Sequence, residues 1–263
     1  MNPSWAPILC YHRICPAADF GKFRSLCVTP GNFLSQMNFL KRLGYVSLSL
    51  QNLSAYLRGQ KNISAKSVAI TFDDGYEDNF TQAWPILKKT GMTANLFLVT
   101  DLIGKSNVWD QNPISETMDE SPLLTEDQIK EMRDGGVFFG SHTANHIDMT
   151  KENSARVREE LERSKKKLED LTHRYDTTFC YPYGRFNTEV KRWVREAGYS
   201  CALAGDRGPL KQESDLFELR RIQVFPNTSL FGFWKKLQGW YPQWAEFPKR
   251  IRFNALGEGG LHS

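Results

Sequence analysis

Nowhere does this chain hold the roughly 18 consecutive apolar residues that a membrane-spanning helix requires, so no transmembrane segment is expected. The stretch from Met1 to Pro7 lacks a basic region followed by an apolar run, which argues against a secretory signal peptide. Cysteine is scarce, and Cys10, Cys15, Cys27, Cys180 and Cys201 are odd in number and irregularly spaced. That disfavours a disulfide framework and reads as free thiols of a reduced, cytoplasmic compartment. There is no basic arm, no nucleic-acid motif and no block of one charge, and a net charge of +4 is too mild to call for nucleic acid. Internal repeats and low-complexity tracts are missing as well. What is present is a 40% hydrophobic fraction over 263 residues, enough to bury one full core in a single domain.

Apolar runs of strand character alternate with segments of helical period. Strands are expected at 7–11, 45–48, 68–72, 94–99, 137–140, 178–181, 200–204 and 219–224. Helices are expected from the Thr29-Pro30 start to Gly44, at 50–57, and at 79–90 ahead of Gly91. Further helices run from the capping box Thr125–Gln128 to Gly135, over 153–171 with Val157, Leu161 and Leu168 inward, and over 188–197. Such β-α alternation implies a parallel sheet, open or closed into a barrel. Periodicity alone does not choose between the two.

The strand at 68–72 ends in Asp73 and Asp74, followed by Gly75. Two adjacent carboxylates at a strand end call for a metal, a shared proton or a cationic partner. Farther along, Ser141-His142-Thr143-Ala144-Asn145-His146 places two imidazoles four residues apart, on the same side of a helical turn. With one carboxylate they form a donor set suited to zinc or another borderline divalent ion, leaving positions open for water and substrate.

Three stretches, Thr71 to Tyr76, Ser141 to His146 and Phe179 to Gly184, resemble in order the first three motifs of the polysaccharide deacetylases, carbohydrate esterase family 4. The likeness extends over about residues 7 to 224, including the opening Pro7 to Ile14. It implies a distorted (β/α)7 barrel of α/β class, over residues 1–224, that removes N-acetyl groups from amino sugars with a divalent metal, zinc first among them. By motif, Asp74, His142 and His146 are the expected metal ligands, and Asp73 the general base that deprotonates the attacking water. The backbone N–H of Tyr183 would stabilise the oxyanion. Tyr76, Tyr181 and Trp109 are the expected substrate contacts, Trp109 in a loop with Asn107 and Asp110.

Two positions depart from the pattern. Cys180 stands where many members carry the arginine that orients the base, so Arg220 or Arg221 must substitute, Arg221 by preference. The C-terminal strand also lacks the usual histidine. His173 lies in a polar loop and His262 in the tail, which leaves His12 as general acid, as in branches with a permuted strand order. Residues 225–263 form an aromatic, basic extension, expected either to pack on the barrel or to meet a membrane surface through residues 231–244. The expected partner is an N-acetylated glycan or a lipid-linked sugar at the inner face of the membrane. An O-acetyl esterase and a non-catalytic glycan-binding barrel are the competing readings.

Overall fold

The computed structural model describes residues 6–19, 24–110, 120–175, 177–205 and 215–239. Its strands are β1 (Ile8–Tyr11), β2 (Arg13–Ile14), β3 (Cys27–Val28), β4 (Val46–Ser47) and β5 (Ser67–Phe72). They continue as β6 (Asn95–Leu98), β7 (Phe138–Ser141), β8 (Phe179–Cys180), β9 (Ala202–Leu203) and β10 (Ile222–Gln223). Helices α1 (Pro30–Arg42), α2 (Leu50–Leu57), α3 (Trp84–Thr90) and α4 (Glu126–Asp134) precede α5 (Ser154–Thr172), α6 (Thr188–Glu196) and α7 (Leu230–Lys236).

The main sheet is parallel and runs β10-β1-β5-β6-β7-β8-β9, with β4 beside β5. A parallel bridge from Leu203 in β9 to Leu219, just ahead of β10, joins the two edges. The expected (β/α)7 barrel is therefore the observed architecture. Its first strand sits between the last strand and β5, which brings the end of β1 beside the two aspartates.

Alternation along each strand divides the two faces. Leu9, Val68, Ile70 and Phe72 point outward into a core shared with Phe33, Met37 and Leu40 of α1 and Leu87 of α3. Ile8, Ala69, Phe97 and Cys180 point inward, and α2 closes that end with Leu50, Leu53 and Leu57. Burial on both faces explains why these strands read as near-continuous apolar runs. Gly140 is required there, because a Cβ would stand 2.6 Å from both the Phe97 ring and Thr178 Oγ1.

Two elements differ from the sequence expectation. The helix expected over 79–90 starts as a π-helical turn, Asn79–Ala83, before α3. Pro85 has no N–H for the carbonyl four residues back, which favours a widened turn. At the other end, α7 buries Phe233 and Leu237 in the main core while Leu230, Phe231 and Trp234 stay exposed. Residues 240–244 of the aromatic stretch, the rest of the extension to 263, and His262 lie outside the described residues. Among the described residues no helix is long and apolar enough to cross a membrane.

Candidate active site

Inward-facing alternation along β5 carries Ala69, Thr71 and then Asp73 toward the barrel axis at the carboxyl end of the strands. Arg221, ahead of β10, meets Asp73 there in a two-pronged pair, Nη1 to Oδ1 at 2.6 Å and Nη2 to Oδ2 at 2.7 Å. The guanidinium also donates to Thr71 Oγ1 at 3.3 Å and, through Nε, to the Ala204 carbonyl at 3.2 Å. Such a fork fits a carboxylate better than any lysine would. Burial by itself would raise the Asp73 carboxyl, but the Arg221 charge and hydrogen bonds, with His12 and His142, hold it at about 2. Arg220 faces the other way and pairs with Glu218 at 3.2 Å.

Two thiols flank the same carboxylate: Cys10 Sγ is 3.7 Å from Oδ2 and Cys180 Sγ 3.6 Å from Oδ1. Arg221 Nη2 donates to Cys180 Sγ at 3.1 Å. Burial pushes both thiols up, which keeps them protonated and unreactive. Cys180 thus occupies the space beside Asp73, and the positive charge arrives from a different strand.

His12, one residue beyond β1, places Nε2 3.7 Å from Asp73 Oδ2. Its backbone is clamped: Asn79 Nδ2 donates to the His12 carbonyl at 2.9 Å, and Arg13 Nε pairs with Asp78 at 2.8 Å. The clamp therefore comes from the residues that follow the Asp73-Asp74 turn, a coupling that strand patterns do not reveal.

The two histidines converge on Asp74 without the expected helical turn. His142 Nε2 and His146 Nε2 each lie 3.4 Å from Asp74 Oδ1. The intervening backbone is a series of turns, with Thr143 at φ 64° and His146 at φ 59°. Helical bonding fails because the carbonyls of Thr143 and Ala144 already accept from the Thr100 and Asp101 amides, at 3.2 and 2.9 Å. Asp74 and Tyr183 are left-handed too, so four of the five non-glycine residues with positive φ among the described residues belong to this site. Each costs on the order of 1 kcal/mol and persists only where the surroundings enforce it.

The chemistry of this donor set fits a divalent metal. Asp74, His142 and His146 offer ligand atoms that all lie within 4.8 Å of one another, and all three residues are buried. His142 Nδ1 sits 2.8 Å from the Cys180 carbonyl, which only accepts, so a proton is held there and Nε2 is the nitrogen turned to Asp74. Burial lowers His146 against the pull of Asp74, and the neighbouring His142 adds to the lowering. Two other groupings, Cys10-His12-Asp73 and Asp73-His142-Cys180, both draw on Asp73, whose oxygens Arg221 already holds.

A cavity of about 360 Å³ opens over these groups. Trp109 and Tyr183 form its aromatic walls, each with its ring centroid 4.6 Å from that of His146. Sequence reasoning missed Leu26 and Gln223 at its edge, and the wall where the backbones of Gly184 and Gly205 approach so closely that a Cβ on Gly184 would sit 2.6 Å from Gly205 Cα. No local signal marks them, because each arrives from a different part of the chain.

Two of the expected substrate contacts are corrected. Tyr181 is fully buried on the outward side of its strand, with its hydroxyl donating to the Phe217 carbonyl at 2.9 Å and its ring stacked on Phe186 at 4.8 Å. The reason is alternation: Cys180 faces the axis, so Tyr181 faces the helices. Tyr76 is buried with Val99, Leu102 and Leu123 beside Trp109, and Arg13 covers its ring at 5.2 Å. It supports the wall without lining the cavity. Asn107 is structural as well, accepting from the Ser121 amide at 2.7 Å.

Comparison with known proteins places this geometry. The family model described as polysaccharide deacetylase matches residues 60–202. YxkH of Bacillus subtilis, a protein named for the same family, is 33% identical over 232 residues, 88% of this chain and 76% of that one. The poly-β-1,6-N-acetyl-D-glucosamine N-deacetylase of Staphylococcus aureus is 26% identical over 233 residues, 81% of this chain and 77% of that one. Among solved structures, the Streptococcus pyogenes deacetylase PplD in complex with acetate superposes with a TM-score of 0.78 at 27% identity, covering 90% of this chain and 99% of its own.

Proposed function

The chain belongs to the polysaccharide deacetylase family, hydrolases of carbon–nitrogen amide bonds, and we propose that it removes the N-acetyl group of an amino sugar in a glycan or glycoconjugate with a divalent metal, zinc in first place. The observation that carries this reading is asymmetry within one aspartate pair: Asp74 turns to two imidazoles, while Asp73 turns to Arg221 and His12.

When bound by Asp74, His142 and His146, the metal would act as a Lewis acid that acidifies water and polarises the acetyl carbonyl. Asp73 accepts the proton of the attacking water. Arg221 keeps the carboxylate ionised, so that it can accept, and holds its oxygens oriented. The backbone N–H of Tyr183 supports the negative charge that develops on the acetyl oxygen. Across Asp73, His12 protonates the departing nitrogen, which must leave as an amine. Trp109 and Tyr183 hold the sugar against the cavity wall. The test is acetate release from N-acetylated sugars of increasing length, with matched O-acetyl substrates and a chelator control. Acetate from the O-acetyl set alone would defeat the amidase reading.

A general acid matters most when the leaving group is poor. His12→Ala is therefore expected to lower turnover of an N-acetyl substrate by about 10²-fold or more while sparing an activated aryl acetate ester. Equal losses on both substrates would remove His12 from that role.

The same proposal includes contact with a membrane surface and a lipid-linked sugar on the cytoplasmic side. It draws support from five buried cysteines without a disulfide and from the exposed face of α7. There Phe231 stacks on Trp234 at 5.8 Å, and Lys235 lies 4.4 Å from the Phe231 ring centroid. Aromatic rings beside lysine suit the lipid interface. Phe231→Ser with Trp234→Ser is expected to reduce sedimentation with anionic vesicles severalfold at unchanged melting temperature. Unaltered binding would end the idea. Point changes are the right tool because Phe233 and Leu237 belong to the core.

A further inference from the structure

Glu160 lies on the inward side of α5, next to Leu161, with its side chain 0% exposed. A carboxylate at such a position needs partners. Its partners are the turn between the two histidines. Oε2 accepts from the backbone amides of Ala144 at 2.9 Å and Asn145 at 2.8 Å, and Oε1 accepts from Asn145 Nδ2 at 2.8 Å. Arg156 and Arg163 pair with Oε1 from the solvent side, at 2.8 and 3.5 Å.

This contact completes a bracket. The carbonyls of Thr143 and Ala144 are held by the amides of Thr100 and Asp101 beyond β6, and the amides of Ala144 and Asn145 are held by Glu160. The turn makes no helical bonds of its own, and it is bounded by two left-handed residues, Thr143 and His146. Locally the Thr143 amide donates to Ser141 Oγ at 3.2 Å, and the rest of the turn relies on partners remote in the chain.

We propose that Glu160 is a positioning residue for the metal centre, fixing the Ala144–Asn145 backbone so that His142 and His146 both face Asp74. It touches neither imidazole and does not line the cavity. The inference rests on the metal reading of the site, and its test separates the two. Zinc affinity is measured by competition with a chromophoric chelator, alongside metal-free thermal melts, for two conservative variants. Glu160→Gln keeps the reach of an acceptor oxygen and loses the charge, whereas Glu160→Asp keeps the charge and loses the reach. Positioning through hydrogen bonds predicts a loss of no more than a few-fold for Glu160→Gln, whose amide nitrogen replaces Oε1 opposite Asn145 Nδ2, and a loss of about 10-fold or more for Glu160→Asp. A milder variant, Asn145→Ala, removes the side-chain contact to Oε1 and a longer one, 3.5 Å, to Asp101 Oδ2, and should weaken zinc by a few-fold. The proposal is overturned if Glu160→Asp binds zinc like the wild type, or if losses in both variants simply follow metal-free stability. Wild-type protein that binds no zinc would overturn the metal reading itself, and this inference with it.

Discussion

Asp73→Asn is expected to lower kcat for acetate release by about 10²- to 10⁴-fold in the metal-loaded protein, with KM little changed. An amide cannot take the proton of the attacking water, while substrate still meets the same walls. Near wild-type turnover would show that Asp73 is not the base. The variant carries a second effect, because Arg221 is left buried without its anion. Removing one partner of a buried pair costs about 3–5 kcal/mol, so activity has to be read well below the lowered melting temperature. Pairing the change with Arg221→Met separates the two effects. The double variant should regain much of the stability and none of the activity. The pH dependence follows from the depressed carboxyl: its contribution to stability is complete above the unfolded value near 4 and is lost as pH falls toward about 2.

Metal removal has the other large expected effect. Chelation should bring acetate release to background, and added zinc should restore it. His142→Ala or His146→Ala should leave less bound zinc than the near-equimolar content of wild type, measured by elemental analysis. At a free zinc concentration a hundred times Kd, binding to the native state alone stabilises by about 2.7 kcal/mol, read as a rise in melting temperature that both variants lack. Activity that survives exhaustive chelation would separate this chain from metal-assisted hydrolysis. The donor geometry makes the expectation strong: three buried groups from two strand ends aim at one point, and the Cys180 carbonyl fixes the tautomer of His142.

What the sequence by itself determined is the set of reactive groups and the order of the elements that bear them. Adjacent aspartates after an apolar strand, two histidines four apart and a Tyr-Pro-Tyr-Gly turn are local patterns, and local patterns survive in one dimension. Helix starts were equally legible, because Thr29, Thr125 and Asn153 cap the amides a few residues ahead of them. Only the tertiary structure decided which way side chains face and what reaches them from afar. Tyr181 looked like a groove residue until strand alternation turned it to the core, and Tyr76 packs beneath Trp109 with Val99, Leu102 and Leu123. The histidine pair looked helical because a spacing of four is helical by default. Hydrogen bonds donated by the Thr100 and Asp101 amides and accepted by Glu160, all outside the turn, impose a strained turn with the same convergence. The partner of Asp73 likewise depends on barrel closure, which brings Arg221 across 148 positions of sequence to a carboxylate that no local pattern joins to it.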